Sequence, residues 1–353
     1  MMVWAKSKQY LVRVSALTNK EGKVKKTVLL IDGHNTFIRA YTVDPSLSTN
    51  GDPIGGVKGF LKILQKELRE ISVERVIVVW DGAGGSRKRK AINKAYKEGR
   101  KPVRLSRHLN RHSEGFTEEQ KRQNRAWQMT KAMEYLNELP IVQLMVPDVE
   151  ADDVIAYLAK APVLEGWDKI IYSNDKDFFQ LCSPTVKVYR PVLKENKMKD
   201  VESILEEHGI HPVNFAMARA IVGDSSDNLI GVKRVGLKTV KSCFEFLKDS
   251  KSYTFSDIEQ YCMHTESKKQ AYKNILTDMN LVKENYKIMQ LYSPMISVPA
   301  KNDIDHAVKN AAYELNFTNM LVMMSRDGFG HYNWDNLKQK MRYIVKSNRV
   351  STT

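Results

Sequence analysis

The chain has 353 residues, of which 42% are hydrophobic and 27% charged, the make-up of a globular protein with room for one large domain or two. Its 56 Lys and Arg against 41 Asp and Glu leave a net charge of +15, which points to a polyanionic partner. Three scattered cysteines without a CxxC (Cys182, Cys243, Cys262) suggest neither a disulfide framework nor a zinc site, and no apolar run is long enough to span a bilayer or serves as a signal peptide, so a reducing cytoplasm is expected.

Residues 1–26 are basic. Tyr10–Leu17 alternates weakly and Asn19–Gly22 suits a turn, so an added edge hairpin and a disordered basic arm are both open. Thr27–Ile31 is a continuous apolar strand that ends in Asp32-Gly33, and Arg75–Trp80 repeats the design, ending in Asp81-Gly82. Val57–Ile71 between them has helical periodicity. Strand, helix, strand predicts a parallel sheet, and functional groups in such sheets collect at the carboxyl ends of the strands.

Residues 87–131 change character, with fifteen Lys or Arg against four Glu and with Tyr96 and Trp127 interleaved. Lys88–Lys97 and Thr117–Leu136 are expected to be helical, and Arg104–Gly115 to be a loop. A basic excursion from a compact sheet suits capture of a phosphate backbone, with aromatics for stacking.

The stretch from Asp148 to Leu181 carries the densest chemistry. Glu150, Asp152 and Asp153 open an apolar-periodic helix, and Glu150 and Asp153 share one face of it. Asp175 and Asp177 follow a short buried strand, Ile170–Ser173. Carboxylates crowded in this way raise one another's pKa unless a cation sits among them. A hard divalent ion such as Mg²⁺, which takes oxygen ligands, is the economical answer. Asp32, Asp81 and Asp175, each at a strand end, would then meet the Glu150–Asp153 helix in one crevice.

From Val201 onward the pattern is mainly helical, with stretches expected near 201–208, 212–222, 238–248, 268–280 and 305–323. Asp224 and Asp227 bring the acids to nine. Gly231 and Gly236, followed by Lys238-Thr239 at a helix start, suggest a tight hairpin whose N–H groups could hold a phosphate.

Seven segments in order resemble the structure-specific 5′ nucleases: the flap endonucleases, phage 5′-exonucleases and 5′-nuclease domain of bacterial DNA polymerase I. They are LLIDGHNTFIRAY (29–41), GDPIGGVKGF (51–60), VIVVWDG (76–82), AYKEGRKP (95–102), VPDVEADDVIAYLAK (146–160), SNDKDFFQL (173–181) and VGDSSDNLIGVKRVGLKT (222–239). The resemblance covers roughly 27–250. It implies a PIN-like α/β domain (27–200) with a mostly parallel sheet flanked by helices and a helical arch at about 83–131. It also implies a helical DNA-binding region (201–345) with a helix–three-turn–helix element at about 212–248, between a basic extension (1–26) and a tail (346–353). Two or more Mg²⁺ ions, replaceable by Mn²⁺, are implied. Asp32, Asp81, Glu150, Asp152 and Asp153 match the first cluster of ligands, and Asp175, Asp177, Asp224 and Asp227 the second. Lys97 and Arg100 match arch residues at the scissile phosphate, with Arg89 joining them. Tyr96 and the hairpin residues Gly231, Lys233, Arg234, Gly236, Lys238 and Thr239 are assigned to DNA.

The same resemblance implies a monomeric nuclease of the bacterial or phage-infected cytoplasm that removes primers or flaps. It would act on DNA with 5′ flaps, nicks or junctions, with RNA–DNA hybrids as a second substrate, and beside replication proteins that the sequence does not name. With no polymerase module expected after it, the chain is similar to the free-standing form. Two departures stand out. Arg234 replaces the middle glycine of the hairpin, which leaves a monovalent-cation site at 231–236 open, and the arch is long. A PIN-domain ribonuclease would lack the 223–236 element, and a non-catalytic junction binder would lack some of the nine acids. His34, His108 and His112 are scattered and are read as structural or surface groups rather than ligands.

Overall fold

The computed structural model describes residues 25–100, 103–106, 109, 116–191 and 197–349. Residues 1–24, most of 104–115 and the last four residues lie outside that set, and with them the expected hairpin or arm, His108 and His112.

Strand β1 (Thr27–Asp32) is followed by α1 (Gly33–Val43), α2 (Gly55–Glu70) and β2 (Arg75–Trp80). The basic excursion supplies α3 (Arg87–Ile92) and α4 (Glu118–Asn137), then come β3 (Val142–Met145), α5 (Ala151–Leu158), β4 (Asp168–Tyr172), β5 (Val186–Tyr189) and β6 (Met198–Lys199). The sheet order is β3-β2-β1-β4-β5-β6, parallel throughout except for β6 at the edge. Parallel strands joined by helices are covered on both faces. Val28 and Leu30 accordingly point into one core while Leu29 and Ile31 point into the other.

The remaining chain is helical: α6 (Val201–His208), α7 (Pro212–Val222), α8 (Leu237–Cys243), α9 (Phe255–His264), α10 (Gln270–Thr277), α11 (Met279–Met289), α12 (Val298–Lys309), α13 (Phe317–Arg326) and α14 (Asp335–Arg349). The first core joins one sheet face to α5 and to side chains from Ile204 to Val308. The second joins the other face to α1, α2 and α4, and then to α13 and α14, which return to it.

Four expected helices are shorter than their periodicity suggests. The helix at Lys88 stops at Ile92, because Asn93 is extended and Lys97 has φ 59°. The stretch 238–248 breaks at Phe244, whose ring is buried among Phe246, Tyr261 and Tyr272. Asp278 divides 268–280 into α10 and α11, and 310–316 interrupts 305–323. No helix among the described residues is long and apolar enough to cross a membrane, and the three cysteines are free and buried.

Candidate active site

The carboxyl ends of β1, β2 and β4 lie side by side, and the acids that follow them share one crevice. Asp32 caps α1, accepting the Asn35 amide at 3.1 Å and the Ser173 hydroxyl at 3.0 Å. Asp81 accepts the amide of Ala151, the first residue of α5, at 2.9 Å and so fixes where that helix starts. Asp175 follows β4 and accepts the Asp177 amide at 2.8 Å, while its own amide donates to Ser173 Oγ. Ser173 thus ties Asp32 to Asp175.

The α5 acids are drawn to cations from the basic excursion. Arg89 Nη1 lies 2.8 Å from both Glu150 and Asp153, and Nη2 lies 3.1 Å from Asp152. Lys97 Nζ is 2.6 Å from Glu150, which also accepts the Tyr96 hydroxyl at 3.1 Å. Across the crevice, Arg219 of α7 pairs with Asp177 at 2.8 Å and with Asp224, and Arg100 pairs with Asp227. The turn at Lys97 is pinned there too, since its amide donates to Asp227 O and Asn228 Nδ2 donates to Ala95 O.

Crowding has the expected electrostatic result. Burial, opposed by the Asn35 amide and reinforced by Asp81, pushes Asp32 up to about 7. Burial and then Asp152 push Asp153 up to about 6. Asp175 is raised well above the ordinary range by burial and by Asp177, and Glu150 and Asp177 are raised chiefly by burial as well. A divalent cation would reverse each of these shifts.

All nine acids therefore gather around one crevice. Among the described residues no three of them converge at ligand distance on one point, because each is turned toward an arginine, a lysine or an amide. The donor set is nonetheless all oxygen and strongly anionic, which fits hard ions such as Mg²⁺ or Mn²⁺. The cations now among the acids mark where positive charge is needed.

The basic residues divide. Lys97 and Arg100 line the crevice with Asp152, Asp175 and Asp227. Arg89, expected at the phosphate, and Tyr96, expected to stack on DNA, line the same crevice but are almost wholly buried, Arg89 among the α5 acids and Tyr96 against Glu150. Lys233 and Arg234 are exposed on the turn between α7 and α8, Lys238 is exposed in the first turn of α8, and Thr239 beside it is half-buried. Gly231 packs so tightly that a Cβ would lie 1.8 Å from Val222 O, whereas Gly236 has open space around it. Sequence reasoning missed Arg219, Ser173 and Asn35. Arg219 left a signal: it is the lone charge in the mostly apolar α7, five residues before Asp224.

The family model described as "5′-3′ exonuclease, N-terminal resolvase-like domain" matches residues 27–209, more than half of the chain. The chain belongs to the 5′–3′ exonuclease family. That family is one of phosphodiester hydrolases, and the thermostable DNA polymerase I of Thermus thermophilus is 37% identical over 216 residues, which cover 61% of this chain and 23% of that enzyme. The chain thus spans about a quarter of those polymerase relatives. The 5′–3′ exonuclease of Aquifex aeolicus is 32% identical over 219 residues, 61% of this chain and 67% of that protein. The D15 protein of bacteriophage T5, crystallised with metal ions, shares the fold with a TM-score of 0.58 at 18% identity, over 86% of this chain and 98% of that one.

Proposed function

We propose that the chain is a divalent-metal-dependent, structure-specific 5′ nuclease that hydrolyses phosphodiesters near the 5′ end of flapped, nicked or junction DNA and of RNA–DNA hybrids. The observation that carries the reading is the single crevice in which acids from three strand ends and α5 face Lys97 and Arg100. A Thermus polymerase and an Aquifex exonuclease at 37% and 32% identity, and a T5 flap endonuclease of the same fold described in complex with DNA and metal ions, support it.

Asp32, Asp81, Glu150 and Asp152 would hold the first ion and Asp175, Asp177, Asp224 and Asp227 a neighbouring one. Such ions, when bound, lower the pKa of water and neutralise charge that builds on the phosphate and the leaving oxygen. Lys97 and Arg100 add positive charge at the scissile phosphate, released from Glu150 and Asp227 for that purpose. The exposed cations Lys233, Arg234 and Lys238 grip duplex phosphates and set the register without reading sequence. In this reading α3–α4 form the base of an arch, α7–α8 a helix–three-turn–helix element, and the sheet a PIN-like domain that works in a bacterial or phage-infected cytoplasm.

The deciding experiment is cleavage of end-labelled 5′-flap, nicked and RNA–DNA hybrid duplexes with Mg²⁺ or with EDTA. Mg²⁺-dependent release of short 5′ products is expected. Tight binding of all three without cleavage would make the chain a junction-binding protein instead.

A further inference from the structure

The turn that presents Lys97 is held in an unfavourable conformation from outside. Lys97 has φ 59°, in the left-handed region that a residue with a Cβ rarely enters. Its amide donates to Asp227 O at 2.8 Å. Ala95 O closes the local turn by accepting the Glu98 amide at 2.9 Å, and it also accepts Asn228 Nδ2 at 2.9 Å. Backbone outliers of this kind persist where the surroundings over-determine them. Here the surroundings come from the segment after α7, with Asn228 lying 133 residues from Ala95 in the chain.

That segment is itself firmly set. Asp224 and Leu229 exchange backbone hydrogen bonds at 2.9 and 2.8 Å, which closes the loop that carries Asn228. Leu229 packs with Tyr96, Ile288 and Met289 in a small core apart from the two large ones, and Asn285 Nδ2 donates to Ile230 O at 2.9 Å. Asn228 has φ 58°, a conformation that asparagine adopts far more readily than lysine. Two kinds of contact hold the Lys97 turn. Lys97 Nζ with Glu150 and Arg100 with Asp227 are ion pairs, and their carboxylates are among those assigned to divalent ions. The bonds from the Lys97 amide to Asp227 O and from Asn228 Nδ2 to Ala95 O use no carboxylate, so they outlast any exchange of those pairs. Of these two, only the second is made by a side chain.

We propose that Asn228 is a positioning residue for Lys97: its amide holds Ala95 O, and with it the turn that aims the lysine at the scissile phosphate. The inference rests on the nuclease reading and adds to it a residue that touches neither ion nor phosphate. It also makes the segment leading from α7 to Lys233 and Arg234 the support of the catalytic lysine, so that gripping and cutting share one frame. An asparagine kept only for its φ would be replaced by glycine without effect, and that separates the two roles.

The test is the single-turnover rate on a 5′ flap at saturating Mg²⁺ for two variants of the full chain. Asn228→Gly keeps the left-handed φ and removes the amide, and Asn228→Asp keeps the φ and turns the donor into an acceptor. Asn228→Gly is expected to cut about 3- to 10-fold more slowly, the equivalent of one hydrogen bond, and Asn228→Asp at least as slowly. For the glycine variant, flap Kd in EDTA and Mn²⁺ affinity by calorimetry should match wild type, which sets this effect apart from damage to Asp227. In a Lys97→Ala background, Asn228→Gly should cost less than about two-fold, because the group it positions is gone. The Lys97 amide should exchange its hydrogen faster in Asn228→Gly than in wild type. A glycine variant that cuts at the wild-type rate, or one whose loss is undiminished without Lys97, overturns the proposal. Wild-type protein that cuts nothing sinks the nuclease reading and leaves the hold on the turn to hydrogen exchange, where an unchanged Lys97 amide overturns it as well.

Discussion

The two acid clusters face each other across one crevice, and each is built around an arginine, yet they differ in how firmly that arginine is set. Arg89 in the first cluster is buried, with the last turn of α11 held against it through Ile288 O. Arg219 in the second sits at the crevice wall with its side chain 11% exposed, and Arg100, the partner of Asp227, is half exposed. The same residue types thus make a rigid frame on one side and exchangeable pairs on the other. An ion or a phosphate can displace an exposed cation at little expense, whereas a buried one moves only if its surroundings open.

The largest effect should come from the proposed ligands that no buried cation holds. Asp175→Asn removes a crevice carboxylate at the end of β4 and is expected to bring Mg²⁺-dependent cleavage below detection while flap binding in EDTA is retained. Normal turnover in this variant would remove the strand-end acids from the chemistry. Next in size is Lys97→Ala, for which the single-turnover rate should fall of order 10²-fold if, as proposed, its charge is needed most as the phosphate reacts. A rate that does not change would leave Lys97 as a partner of Glu150 and nothing more.

Arg219→Met sharpens the contrast in stability. Asp177 and Asp224 would lose their shared cation, and a loss of about 3 kcal/mol is expected in urea melts without divalent ions. Millimolar Mg²⁺ should return part of that loss, since an ion can stand where Arg219 stood. The same substitution at Arg89 should be more damaging and less recoverable, because the frame around it also anchors Ile288. Equal recovery at both sites would erase the distinction between frame and exchangeable pair.

How much of this could be read in the sequence depends on how local each signal was. Thr27–Ile31 and Arg75–Trp80 were legible because a strand buried on both faces has to be an apolar run, and the aspartate after each run marks the carboxyl end. The acids of α5 were legible because they interrupt an apolar helix. The counter-charges were not. Arg89 is 61 residues from Glu150, and Met295 is 142 residues from Asp153, so no periodicity connects them. Tyr96 was assigned to DNA for its basic neighbours, and only the packed structure places its hydroxyl on Glu150. β3, β5 and β6 are too short to stand out. α14 carries a clear amphipathic stripe (Leu337, Met341, Ile344) but lies far from the sheet residues it covers.

The smallest predicted effect lies away from the acids, at Arg234. Its φ of 61° places a side-chain-bearing residue in the left-handed region, in a turn that has glycine at 231 and 236. Such a conformation costs about 1 to 2 kcal/mol in a residue with a Cβ, and glycine would avoid it at an entropic cost of about 0.5 to 1 kcal/mol. The net gain expected for Arg234→Gly is therefore about 0 to 1.5 kcal/mol in a urea melt, with the middle of that range the expected value. Arg234 is exposed and makes no ion pair among the described residues, so nothing within the fold offsets the strain. If the strain is kept for the sake of the guanidinium, the more stable variant should bind duplex DNA more weakly, and its log Kd against log salt should lose about one unit of slope, the signature of one phosphate contact. Arg234→Lys should keep both the strain and the slope. A glycine variant that is more stable and binds with the wild-type salt dependence would show that the turn tolerates arginine without using it, and would confine DNA gripping on this side to Lys233 and Lys238.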